Sequence, residues 1–316
     1  GTMIGGSVSA ILINTPGTPN AAATTFDGYP MAQNGRAGDA LKTALVGSTI
    51  GGILSCFALI FFAPMIARIA YHIASPEYFA LCLFGVCCVI GISEKDIFKG
   101  IIMAFLGMSL STVGISMLDG TSRFTFGSHN LLAGFREATV MLGIFAVSEV
   151  LIKLRNVTKD DVTSINARFD KSTLKVLDII KHWKVIITSS IIGIVIGAIP
   201  GTGGAISAMF SYDTARRMSK HPERFGQGEL EGVLAPETGN NAVTGATLIP
   251  LLTLGIPGDA AVAVLLGALT MQGITPGFSL FTDGSTWVWA IMLGLVLINI
   301  FMFLQGQLFI RAFVNV

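Results

Sequence analysis

Pro-Gly pairs interrupt this sequence three times inside otherwise apolar stretches, at Thr15-Pro16-Gly17-Thr18-Pro19, Ile199-Pro200-Gly201-Thr202-Gly203-Gly204 and Gly255-Ile256-Pro257-Gly258-Asp259. Proline ends the helix behind it, and each break frees backbone N–H and C=O groups that are costly in hydrocarbon unless protein, water or a ligand satisfies them. A helix that restarts after the break aims its first N–H groups, with about half a positive charge, at whatever lies in front. The chemistry implied is capture of a carboxylate by the backbone donors of Gly17 and Thr18, of Gly201, Thr202, Gly203 and Gly204, and of Gly258 and Asp259. Asn14, Pro16 and Pro257 complete the candidate substrate-binding set. The hydroxyls of Thr18 and Thr202 either add direct hydrogen bonds or cap their own helices.

A second group has cation chemistry. Asn240 and Asn241 follow Pro236, Thr238 and Gly239, a composition that predicts an unwound stretch offering oxygens to substrate or Na⁺. The alternative for both amides is hydrogen bonding between helices, worth about 0.6 kcal/mol. An ionised Asp259 repels an anionic substrate, so it either caps a helix or carries the coupling cation or proton. Asp27, Tyr29 and Asp213 are expected at the membrane interface. Cys56, Cys82, Cys87 and Cys88 lie in apolar runs with no metal-ligand spacing, and His72, His129, His182 and His221 are isolated.

The elements that must position these residues are membrane helices. Of 316 residues 12% are charged and 52% apolar, with 37 glycines and a mean hydropathy of +0.72, which fits an all-α polytopic membrane protein. A net charge of +1 gives no reason to invoke nucleic acid. Apolar segments long enough to cross run from Leu41 to Ile66, Tyr78 to Ile92, Ile97 to Met117, Leu131 to Leu154 and Val288 to Ile310. Val185 to Tyr212 is apolar too, but Pro200-Gly201 divides it into arms of about two to four turns.

Lysine and arginine set the orientation. Arg36 with Lys42, Lys95 with Lys99, the connector Lys153 to Lys184, and Arg216 to Arg224 are placed in the cytoplasm, whereas Gly273 to Gln307 has no Lys or Arg. Val185 to Tyr212 therefore enters and leaves on one side, as a re-entrant hairpin with its tip near the midplane. Leu12 to Gly17 with Met31-Ala32-Gln33 matches Leu254 to Gly258 with Met271-Gln272, and the opposite charge bias after the two copies predicts an inverted repeat. The expected division is a first transmembrane repeat over 1–154, a basic cytoplasmic connector over 155–182 and a second repeat over 183–316. The chain opens at Gly1 without a charged leader and closes in an apolar stretch, the pattern expected of a segment of a longer protein.

Asn14 to Met31 resembles the first signature of the large membrane subunit (TctA type) of tripartite tricarboxylate transporters. Ala235-Pro236-Glu237 with Asn240-Asn241, and Pro250 to Gly258, resemble the second. The resemblance implies a multi-pass protein of the bacterial inner membrane, a secondary carrier importing a di- or tricarboxylate by symport with Na⁺ or H⁺ and needing no other cofactor. It also implies a small membrane subunit (TctB type) and a periplasmic solute-binding protein (TctC type) as partners. Family members carry another Pro-Gly half-helix before this segment and further helices after it. Two other classes remain open, an ion or solute channel and an intramembrane enzyme. No Walker A, Gly-x-Ser-x-Gly or His-Glu-x-x-His pattern supports ATP-driven transport or hydrolysis.

Overall fold

The computed structural model describes residues 2–70, 97–116, 120–135, 174–200, 203–277, 279–282 and 285–313, with single positions at 76, 79, 80, 83, 140 and 151. Outside them lie Gly201 and Thr202, most of Tyr78 to Ile92 and of Leu131 to Leu154, and the connector through Thr173.

The described residues form twelve α-helices: α1 Thr2–Ile13, α2 Ala22–Met31, α3 Ala37–Ala70, α4 Ile97–Ser111, α5 Val176–Ile180, α6 Trp183–Ala198, α7 Gly203–Met218, α8 Leu230–Ala246, α9 Leu248–Leu254, α10 Ala260–Met271, α11 Ser279–Thr282 and α12 Ser285–Phe313. A hairpin of two-residue strands, β1 Gly114–Ile115 and β2 Ser122–Arg123, follows α4. The all-α class is as the composition requires. Among the described residues two stretches, Pro19–Ile69 and Thr286–Leu308, are long and apolar enough to cross a membrane. The expected span Ile97 to Met117 is shorter than that, because its helix stops at Ser111.

The centre of the molecule is α8, which hydropathy alone does not mark as a span. Fourteen of its residues are buried, including Pro236, Glu237, Thr238, Asn240 and Asn241. Its neighbours approach through small residues. A Cβ on Gly51 of α3 would strike the Thr238 carbonyl, and one on Gly193 of α6 would strike the Gly239 carbonyl. Gly47 packs on Leu234 and Thr238, Gly197 on Val243 and Ala246, and Gly245 on Ser55. Numbers rise together along these contacts, so α3 and α6 run parallel to α8. On α7 they fall, with Gly204 beside Asn240 and Ser211 beside Gly239, so α7 is antiparallel. Backbones this close favour dispersion and polar contacts over apolar burial, the usual means of helix association in lipid.

The α6–α7 hairpin has 16 residues in each arm, about four and a half turns, longer than the two to four turns expected. The starts of α3, α6 and α8 and the end of α7 lie at one end of the bundle. There Lys42 Nζ donates to the Leu174 carbonyl at 2.6 Å, and the Leu174 N–H donates to Asp39 at 3.3 Å. His182 Nδ1 meets Glu231 Oε1 at 2.6 Å. The basic residues Arg36, Lys42, Lys175, Lys181, Lys184, Arg216 and Arg217 thus share one end.

The first and third breaks are built alike. Asn14 ends α1 at φ +53° and Gly255 ends α9 at φ +72°, both left-handed, a region that Gly and Asn tolerate best. The next N–H reaches back six residues in each, Thr15 to the Ser9 carbonyl at 3.4 Å and Ile256 to the Pro250 carbonyl at 3.3 Å. Gly17 then lies against Gly6 and Gly258 against Thr247. All these pairs share one constant offset in numbering. At that offset α3 corresponds to α12, and the two helices pack antiparallel, Gly52 against Asn299 and Leu45 against Gly306.

Candidate functional site

The restart after the first break is a 3₁₀ turn, Pro19–Ala21, packed between the N-terminal part of α7 and the middle of α8. Asn240 marks the meeting point. It is 1% exposed, and neither its Oδ1 nor its Nδ2 has a hydrogen-bond partner. A Cβ on Gly204, in the first turn of α7, would strike Asn240 Oδ1 and come within 2.7 Å of Asn20 Nδ2. The Thr18 hydroxyl is also buried and unpartnered, and it does not cap the turn it precedes. The Thr18 hydroxyl faces Gly6 of α1. Buried polar atoms are costly unless paired, so the two unpaired atoms of the Asn240 amide are an unfilled demand for a ligand carrying a donor and an acceptor.

The other candidates fall elsewhere. The Gly17 N–H donates to the Gly6 carbonyl at 3.3 Å, and a Cβ there would lie 2.9 Å from Gly6 Cα, so this glycine closes the break against α1. Asn14 and Pro16 are exposed. Gly203 has φ +69° and open space around it. Gly258 packs the third break onto Thr247, away from Asn240 along α8 and α9, and Pro257 beside it is half-buried. Asp259 Oδ1 accepts from the Val262 N–H at 2.8 Å and caps α10. Gly201 and Thr202 lie outside the described residues.

The unwound stretch expected at Asn240 and Asn241 is overturned. Both lie inside the continuous helix α8, whose Pro236 is accommodated in its second turn. Asn241 Nδ2 donates to Ser48 Oγ at 2.8 Å.

Two carboxylates carry more of the polar architecture than their sequence positions indicate. Asp27 is not interfacial but fully buried, and it accepts from the Tyr212 hydroxyl at 2.9 Å and from the N–H groups of Gly226, Gly228 and Glu229 at 2.8–3.0 Å. It thereby ties α2 to α7 and to the N-terminal end of α8, where the helix dipole favours a negative charge. Glu237 is 0% exposed and accepts from Thr24 Oγ1 at 2.5 Å and Ser48 Oγ at 2.9 Å. The signal available in the sequence was a carboxylate amid apolar and small residues, which in a membrane helix is a functional residue by default.

The comparisons agree with the signatures. The tripartite tricarboxylate transporter TctA family matches residues 1–316. An uncharacterized 52.8 kDa protein in the TAR-I ttuC' 3' region of Agrobacterium vitis is 38% identical over 292 residues, which is 92% of this chain and 58% of that protein. An uncharacterized protein in the TAR-II ttuC' 3' region of the same organism is 42% identical over 100 residues, 32% of this chain and 41% of that protein. The chain thus spans little more than half the length of the longer match. No solved structure matches significantly. With buried polar groups gathered where two broken helices meet, and a family match from end to end, the chain belongs to the tripartite tricarboxylate transporter TctA family.

Proposed function

We propose that this chain is part of the membrane subunit of a tripartite secondary carrier, importing a citrate-like di- or tricarboxylate with Na⁺ or H⁺ across the bacterial inner membrane. A periplasmic binding protein (TctC type) delivers the acid, and a small membrane subunit (TctB type) completes the assembly. The observation that carries the reading is Asn240, a buried amide with both polar atoms unpaired between the restarts of two broken helices. A bound carboxylate accepts from Asn240 Nδ2 and from the first N–H groups of α7, while a hydroxyl or water donates to Asn240 Oδ1.

The inverted-repeat reading draws support from the matched geometry of the first and third breaks. An in-plane twofold relation sets equivalent helices antiparallel where they meet, and α3 and α12 pack that way. Repeats over 1–154 and 183–316 joined by a cytoplasmic connector follow, with the basic end of the bundle facing the cytoplasm.

The test is thermal stabilisation of the purified protein by mono-, di- and tricarboxylates, with and without Na⁺. A ligand that binds only the native state at a hundred times its Kd adds about 2.7 kcal/mol. Stabilisation by di- or tricarboxylates that is lost in Asn240→Leu is the expected result. No stabilisation by any acid, or stabilisation indifferent to Asn240→Leu, sinks the assignment.

A further inference from the structure

One turn along α8 from Asn240, Glu237 presents a carboxylate to hydroxyls alone. Thr24 donates to Oε1, Ser48 donates to Oε2, and the Ser7 hydroxyl is a third partner. Among the described residues no Lys, Arg or His forms an ion pair with it. The titratable groups on the surrounding helices are engaged elsewhere or remote. On α2, Asp27 faces α8 at Gly232, with its oxygens held by Tyr212, Gly226, Gly228 and Glu229, and Tyr29 bonds Gln33. On α3, Asp39 pairs with Arg36, Lys42 bonds the Leu174 carbonyl, Cys56 accepts from Asn299, and Arg68 lies in the last turn. Lys184 of α6 lies over Trp183. On α7, Asp213 pairs with Arg217, and Arg216 is exposed. None of the residues on α1 is ionisable.

A carboxylate so enclosed is costly while ionised, and a cation relieves the cost. The spacing favours the smallest one. Hydroxyl oxygens at 2.5 and 2.9 Å from the carboxylate are at hydrogen-bond distance, and each hydroxyl can donate to the ionised group or rotate to accept from the protonated one, whereas a metal ion bridging either pair would force its oxygens apart.

We propose that Glu237 is the site of the transported proton. When an anion occupies the breaks at Asn240, Glu237 takes one proton from solution and forms an O–H bond on a carboxylate oxygen. When the anion leaves, that bond breaks and the proton returns to solution. The assignment rests on the carboxylate reading above and supplies its coupling ion. Asn240 is three residues from Glu237, about 4.5 Å along the helix axis, so anionic charge held there repels an ionised Glu237 and not a neutral one. By linkage, protonation tightens anion binding and the bound anion draws in the proton, each by the same factor.

The experiment uses the full chain in lipid nanodiscs with tartrate as the probe, since both its carboxyls stay ionised between about pH 6 and 8. Calorimetry in buffers of different ionisation heat counts protons taken up per tartrate bound. The parent is expected to take up about one proton, with affinity tightening as pH falls by up to about tenfold per pH unit. Glu237→Gln, which keeps the shape of a neutral acid, is expected to bind tartrate with no proton uptake and a flat pH profile. Ser48→Ala, which removes one hydroxyl donor and leaves the acid, is expected to displace the profile without flattening it. Binding by the parent without proton uptake overturns the assignment, as does equal uptake by Glu237→Gln. So does a Na⁺ dependence at fixed pH that Glu237→Gln abolishes. If Glu237→Gln fails to insert, the parent's proton count and the Ser48→Ala profile decide the matter. A parent that binds none of the acids in the panel defeats the carboxylate reading, and this assignment with it.

Discussion

At the scale of residues, glycine and asparagine do different work at the three breaks. Gly17 and Gly258 let the chain close tightly onto Gly6 and Thr247, Gly203 supplies a left-handed turn, and Asn240 presents two unsatisfied polar atoms. The Pro-Gly pairs were legible in the sequence because their local consequence is fixed. Which of them face a common site was not, since that depends on contacts between segments some two hundred residues apart. Asp27 shows the same limit. Its role comes from N–H groups in a loop that follows α7, and nothing around Asp27 itself announces them. Replacing it by Asn sets an amide N–H₂ against the loop donors and removes the charge from bonds to Gly226, Gly228 and Glu229. Asp27→Asn is expected to lower stability by about 2–4 kcal/mol. Thermal unfolding of the detergent-purified protein measures it, and an unchanged midpoint would rule out Asp27 as the tie between α2 and α8.

At the scale of elements, packing around α8 is set by small residues on its partners. Gly51→Ala drives a methyl into the Thr238 carbonyl and is expected to cost about 1–3 kcal/mol, because neither backbone can retreat without disturbing a second contact. Gly107, on the exposed helix α4, has nothing within 4 Å of its missing Cβ. Gly107→Ala is therefore expected to be neutral or to stabilise by up to about 1 kcal/mol. Paired unfolding curves of the two variants check the contrast. Helices α3 and α12 were legible as spans because their apolar runs are long and unbroken. By contrast, α8 was missed, because Glu231, Pro236, Glu237 and the two asparagines lower its hydropathy below that of a lipid-facing helix. Other helices surround it, so its sequence answers to polar side chains of α2 and α3 where a lipid-facing helix would answer to acyl chains.

At the scale of the whole molecule, the charged end of the bundle includes a contact that depends on pH, the pair of His182 and Glu231. The hydrogen bond to Glu231 raises the His182 pKa above its usual value, while partial burial works against it. His182 gains its partner on folding, so its stabilising contribution is complete below the unfolded value of about 6.5 and fades as pH rises through the raised folded value. Thermal stability is expected to fall modestly over that window, the effect being limited by solvent screening. Glu231→Gln should remove this component, which a pH series of melting curves on both proteins will show. The enclosure of α8 also bears on biogenesis. A carboxylate at the centre of a lone helix adds about 2.5–3.5 kcal/mol to its insertion cost, and Asn240 and Asn241 add to the burden. Released from the translocon alone, α8 would be rejected by lipid. It enters the bilayer only into a socket whose hydroxyls, those of Ser7, Thr24 and Ser48, are already in place. All three come from the first fifty residues, so the N-terminal helices act as an internal chaperone for a segment made long after them.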